Sequence, residues 1–240
     1  MFSTHLQPRT VITAVVSLEL LLFAGLTPAQ ALPNDPATGQ QLTLDHLSFG
    51  FIPPEDSGQP RTNRAGGRRD QLCNNSTPSP SLVLLMPPTN QGFTTAKHPT
   101  LLAYIPQTSA QTVFLKLEDE HDNYFYHTTF PLPESSGVVS FTIPDTAPEL
   151  ELEKYYKISL TMICNTVLDP NDPVVEGWIK RVEPDAFLSS QAGQETAFEL
   201  GATYASNGIW FDALAILADL YQSEPDNPDV TSAWEELLQS

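Results

Sequence analysis

The densest group of titratable side chains is Glu118, Asp119, Glu120, His121 and Asp122, with His127 shortly after. Carboxylate oxygens and imidazole nitrogens are the donors that Ca²⁺ and Zn²⁺ accept, and a histidine beside a carboxylate can move protons in hydrolysis. The spacing matches no established metal loop, and a connection between two strands is expected to be acidic for solvation alone. A polar hairpin turn is therefore the favoured reading, and a metal site is the alternative. A second group lies in Asn90-Gln-Gly-Phe-Thr-Thr-Ala-Lys-His-Pro-Thr100, where Asn90, Thr94, Thr95, Lys97 and His98 place amide, hydroxyl, ammonium and imidazole groups in what reads as a loop ahead of a strand. Such a loop could grip a sugar or peptide. Equally, Asn and Thr satisfy a loop's own backbone, and His98 precedes a structural Pro99. The third group is Glu176, Trp178, Lys180 and Arg181. In it Trp178 is either a core plug, the favoured reading, or a stacking platform. There is no Gly-x-Ser-x-Gly, His-Glu-x-x-His, glycine-rich phosphate loop or EF-hand pattern, so no catalytic residue, cofactor or metal is assigned.

Compartment follows from the N-terminus. Arg9 precedes an apolar run from Val11 to Leu26 that ends in Ala29-Gln30-Ala31, the order of a cleavable secretory signal over residues 1–31. The run falls short of the roughly 20 residues that span a bilayer, and no later segment reaches that length, so no membrane span is expected after cleavage. Glu19 within the run leaves the efficiency of cleavage open. An oxidising compartment makes the two cysteines, Cys73 and Cys164, a disulfide pair. The net charge of −18 opposes nucleic-acid and anionic-membrane partners. An envelope protein or polymer is left as the expected partner class.

These residues need elements to position them. Residues 32–72 are rich in Pro, Gly, Asp and Asn and carry the basic run Arg61 to Arg69. They read as a flexible leader with one short strand at Leu42–Phe51. From 73 to 183 the pattern becomes short β-branched and aromatic runs closed by turn residues: 82–86, 101–105, 112–117, 124–130, 138–143, 155–164 and 174–182. Tyr156, Ile158, Leu160, Met162 and Cys164 alternate, which puts all five on one core-facing side. Tyr156 also stands where a tyrosine corner anchors immunoglobulin-type and fibronectin-type sheets, with Leu150 six residues before it. The expected fold is mainly β, an antiparallel immunoglobulin/fibronectin-like sandwich followed by a small helical appendage.

That appendage, 184–240, carries ten acidic residues and no Lys or Arg. Helical spacing occupies 187–205, 209–222 and 229–238. Ala197, Leu200, Gly201, Tyr204, Trp210, Ala213, Leu217, Leu220 and Pro225 fall at spacings that resemble one tetratricopeptide repeat, with a following cap headed by Pro228. The segments Leu85-Met-Pro-Pro-Thr-Asn-Gln-Gly-Phe-Thr-Thr-Ala-Lys-His-Pro-Thr-Leu-Leu-Ala-Tyr-Ile-Pro106 and Val175-Glu-Gly-Trp-Ile-Lys-Arg-Val-Glu183 resemble a cyanobacterial family of exported proteins, domain of unknown function 928. Similarity runs from about Arg61 to Glu183. The resemblance implies an envelope or periplasmic location and carries no activity to any residue. The expected function is a non-catalytic binding or assembly module. The rival is an envelope hydrolase or metal-binding protein using His98 or the His121 cluster, which requires a cleft uniting at least two of these groups.

Overall fold

The computed structural model describes residues 49–54, 73, 81–121, 123–184 and 195–239. The signal peptide, the basic run Arg61 to Arg69 and most of the strand expected at Leu42–Phe51 lie outside the described residues. No described helix is long and apolar enough to cross a membrane.

The described residues are mainly β, with eight strands in two sheets and three helices at the C-terminal end. The strands are β1 (Val83–Leu84), β2 (Gln91–Thr94), β3 (Thr100–Ile105), β4 (Thr112–Asp119), β5 (Tyr124–Pro131), β6 (Gly137–Thr142), β7 (Tyr155–Ile163) and β8 (Val174–Arg181). The helices are α1 (Ala197–Ser206), α2 (Trp210–Ser223) and α3 (Pro228–Gln239). One sheet has three strands in the order β1-β3-β6, and the other has five in the order β2-β8-β7-β4-β5. Seven strands match the expected runs. The eighth, β2, was expected to be loop, and it pairs parallel to β8, so the larger sheet is mixed rather than wholly antiparallel.

Alternation along the central strands decides which side is core. Val113, Leu115 and Leu117 of β4 and Tyr156, Ile158, Leu160 and Met162 of β7 are buried on the side facing the smaller sheet. Leu101, Leu102, Ile105 and Phe141 come from the smaller sheet. The Tyr156 hydroxyl accepts the Glu151 N–H at 3.2 Å, tying the strand entrance back to the turn before it. Burial pushes that hydroxyl's pKa up. At the other end of β7, Cys164 is disulfide-bonded to Cys73, with Cα atoms 5.0 Å apart. The Cys73 carbonyl accepts the Ser109 N–H at 3.3 Å, so the staple also holds the β3–β4 turn.

The helices add to this core rather than forming a separate one. Trp210, Phe211, Ala213, Leu214 and Leu217 of α2 belong to the same buried cluster as the strands, and the Trp210 indole N–H donates to the Leu85 carbonyl at 3.0 Å. Close approach of α2 to the sheet needs a glycine in β2: a Cβ on Gly92 would stand 2.7 Å from the Phe211 ring. Helix α1 starts at Thr196 in a capping box with Glu199 and ends before Gly208, whose φ of +73° lets the chain reverse into α2. Residues 49–54, which composition places in the leader, run along the helices without strand structure. Phe49 meets Phe198 edge-on at 4.9 Å, Phe51 meets Trp210 at 5.0 Å, and the Ile52 N–H donates to the Ala205 carbonyl at 3.2 Å.

Two outcomes follow for stability. Replacing both cysteines by alanine, which reopens a loop of 91 residues, should cost about 4 to 5 kcal/mol in chemical denaturation, while alkylation of the native chain should find no free thiol. Tyr156→Phe leaves the Glu151 N–H without its acceptor and should cost roughly 1 kcal/mol with the fold retained.

Candidate functional site

The polar groups of the Asn90–Thr100 segment converge on a residue that sequence reasoning did not single out, Asp212 in the first turn of α2. The Thr94 hydroxyl donates to one carboxylate oxygen at 2.5 Å and the Thr95 hydroxyl to the other at 2.6 Å, with the Thr95 N–H at 3.2 Å. The Ala96 N–H in turn donates to the Thr94 hydroxyl at 3.1 Å. Asp212 keeps some solvent contact, yet enclosure outweighs these hydrogen bonds and raises its carboxyl pKa above the ordinary value. A signal for this site existed: Asp212 is the one charged residue in the apolar run Ile209 to Ala218, where an ionised group needs donors.

The neighbouring candidates are used in the same way. The His98 ring Nε2–H donates to the Ala147 carbonyl at 2.9 Å, and its Nδ1 lies 3.4 Å from the exposed Asp145 carboxylate. Arg181 donates from Nη1 to the Leu150 carbonyl at 2.9 Å and from Nε to the Thr95 carbonyl at 3.4 Å. Together they clamp the segment after β2 to the turn that leads to Tyr156. Asn90 has a φ of +55°, a backbone conformation asparagine tolerates, and its N–H closes a turn onto Pro87 at 2.8 Å.

The Glu118–His127 group does not assemble. Asp119 accepts the backbone N–H groups of His121 and Asn123 at 2.9 Å each and the Asn123 side-chain amide at 3.0 Å, and the amide bond is the largest cause of its lowered pKa. His121 is exposed at the hairpin tip, while His127 lies on the sheet with its ring 5.4 Å from Phe114. Glu118 pairs with Lys116 at 2.9 Å and Lys157 at 3.2 Å. Among the described residues no group of three or more His, Cys, Asp or Glu could hold a metal ion. His98 is bound to the turn between β6 and β7, whereas His121 stands at the tip of the β4–β5 hairpin.

The third group resolves by parity. Gly177 and Ile179 face the core, and Trp178 stands half-buried on the opposite, outer face of the five-stranded sheet, which corrects the core-plug reading. The expected core position for a large side chain is filled from elsewhere: a Cβ on Gly177 would lie 2.9 Å from Met86. Register places Gln91 and Lys157 beside Trp178, and Phe93 and Tyr155 beside Lys180. Lys180 Nζ sits 5.6 Å from the Phe93 ring centre and 5.5 Å from that of Tyr155 while pairing with Glu153. This face therefore carries a tier of aromatic rings and lysines in which Gln91 and Phe93 are buried, Tyr155 and Trp178 half-buried, and the lysines paired with Glu118 and Glu153.

Asp212→Ala strands two hydroxyls and one N–H and should cost roughly 2 to 4 kcal/mol. Because the folded-state pKa of Asp212 is raised, the stability linked to it is fully present below its unfolded pKa and is lost as pH rises through the folded value. The melting temperature of the wild type relative to Asp212→Asn should therefore be highest in acid and fall as pH increases.

No curated protein matches the chain. The model of the family described as Domain of Unknown Function (DUF928) matches residues 64–240, beyond the expected limit near Glu183 and through all three helices. The clasp that joins α2 to β2 thus lies wholly within the matched region, and the chain belongs to the DUF928 family.

Proposed function

We propose that this chain is an exported, non-catalytic binding module of the cyanobacterial cell envelope, whose outer sheet face engages a glycan polymer. In this reading an immunoglobulin-type sandwich and a tetratricopeptide-like helical unit are fastened into one body. The tyrosine corner at Tyr156 and the Cys73–Cys164 bond support the first description. The helix pair with its cap, at the repeat-like spacing of Leu200, Gly201, Tyr204, Trp210 and Ala213, supports the second. The signal-like N-terminus and the disulfide support export.

The observation that carries the reading is the tier formed by the half-buried rings of Tyr155 and Trp178 with Lys157 and Lys180, beside the buried Phe93. Aromatic rings stack on the C–H faces of sugars, and lysine ammonium groups supply hydrogen bonds to hydroxyls. The Asn90, Thr94, Thr95, His98 and Arg181 groups act as fasteners beneath this face and hold its edge strand in place. His121 lies at the far hairpin and takes no part.

Retention on isolated peptidoglycan and on an immobilised neutral polysaccharide tests this. The wild type should be held by at least one polymer, and Tyr155→Ala with Trp178→Ala should reduce retention at least fivefold while the variant still unfolds cooperatively above the assay temperature. Passage of the wild type through both polymers would count against the reading.

A further inference from the structure

The C-terminal end of α2 and the N-terminal ends of α1 and α3 enclose a cavity of about 220 Å³. Ala197 and Phe198 of α1, Leu220 of α2 and Val230 of α3 form its apolar wall, and Glu224 and Asp229 stand at its rim. The wall is preformed: Val230 is buried, and the Phe198 ring is held edge-on by Phe49 at 4.9 Å. The rim is fixed as well. The Asn227 side-chain amide donates to the Glu224 carboxylate at 2.7 Å, and the Asp229 N–H donates to the Asn227 side-chain carbonyl at 3.0 Å. Both carboxylates are exposed, with Asp226 in the turn between them, and residues 184–240 offer them no Lys or Arg. Helix α2 ends here with no basic residue in its last turn, so its negative pole adds to their charge. Glu199 and Asp229 offset the positive poles of α1 and α3.

We infer that this cavity docks a basic peptide segment of a partner protein. One large apolar side chain sits against Phe198, Leu220 and Val230, and flanking Lys or Arg residues pair with Glu224 and Asp229. Size selects a single side chain, because sites for whole small molecules commonly measure about 300–1,000 Å³. Chemistry selects a peptide: the wall rewards an apolar anchor that leaves water, which a bare polyamine lacks, and cations beside the anchor answer the rim. A second copy of this chain fits poorly. It brings its own net charge of −18, and its cationic run 61–69 holds no side chain more apolar than Ala65. This docking goes beyond the glycan reading and does not rest on it, because that reading uses β2, β7 and β8 while the cavity is built by the helical unit alone.

Fluorescence anisotropy of the labelled heptapeptide Lys-Gly-Lys-Phe-Lys-Gly-Lys against the disulfide-intact chain provides the test. The peptide should bind saturably, and replacing its Phe by Gly or its lysines by Glu should weaken binding at least tenfold. Ala197 is exposed, so Ala197→Trp should close the cavity and weaken binding at least tenfold while the variant still unfolds cooperatively above the assay temperature. Glu224→Gln with Asp229→Asn should weaken it at least fivefold. Glu134→Gln with Glu183→Gln removes two exposed carboxylates elsewhere and should leave it within twofold. Failure of the wild type to bind overturns the inference. So does equal weakening by the two charge-matched pairs, since the peptide would then follow net charge alone, and so does unchanged binding by Ala197→Trp. Glycan retention by Ala197→Trp, which leaves the sheet untouched, separates loss of this docking from failure of the polymer reading.

Discussion

A carboxylate set into the apolar face of a packed helix is tolerated where donors reach it, and the arrangement around Asp212 follows from that requirement. Its donors come from Thr94 and Thr95, more than a hundred residues earlier in the chain. Holding them against the first turn of α2 fixes β2 alongside β8, in parallel rather than antiparallel register. Gly92 then has to be a glycine, because the Phe211 ring occupies the space of a side chain there. Once α2 is seated, Trp210 reaches the Leu85 carbonyl and Phe51 packs on Trp210, so that residues early in the chain complete a surface begun by the helices. Strands, helices and residues 49–54 share one core as a consequence of this contact.

The same logic explains where the chemically capable residues went. His98 and Arg181 each satisfy backbone carbonyls in the turn between β6 and β7, which also carries the Glu151 N–H bound by Tyr156. A turn of this length would otherwise leave several carbonyls to solvent. The cost of tying it down is met by side chains whose types alone suggest a binding loop. The other side of the sheet is organised by register rather than loop geometry, which brings Phe93, Tyr155 and Lys180 together.

How much of this could be read from sequence depended on whether the signal was local. The alternation from Tyr156 to Met162 identified β7 and its core side because each residue's burial is set by its own strand. The helices were visible for the same reason, and the cysteine pair followed from compartment. β2 was not visible: Gln-Gly-Phe-Thr is short, contains a glycine, and becomes a strand through a parallel partner about 87 residues away. Trp178 was misplaced because the largest side chain in β8 is the natural candidate for the core. Met86 and Leu84 fill the space above Gly177 instead, which reverses the expected parity. Asp212 announced itself only as a charge in an apolar run, and nothing local names its partners. Residues 49–54 look like a leader by composition, yet Phe49 and Phe51 bury their rings among the helices, because two aromatics suffice to anchor a short segment against a preformed surface.

The helical unit has one further consequence for assembly. Sheet edges that are both open allow one molecule to pair its first edge with the last edge of the next, and such head-to-tail contacts run on without closing. Here the first edge, β2, is short and has α2 packed against it, held there by Thr94 and Thr95 on Asp212. The clasp that seats α2 therefore closes this edge to head-to-tail pairing: the same carboxylate that fixes the core also protects one end of the five-stranded sheet.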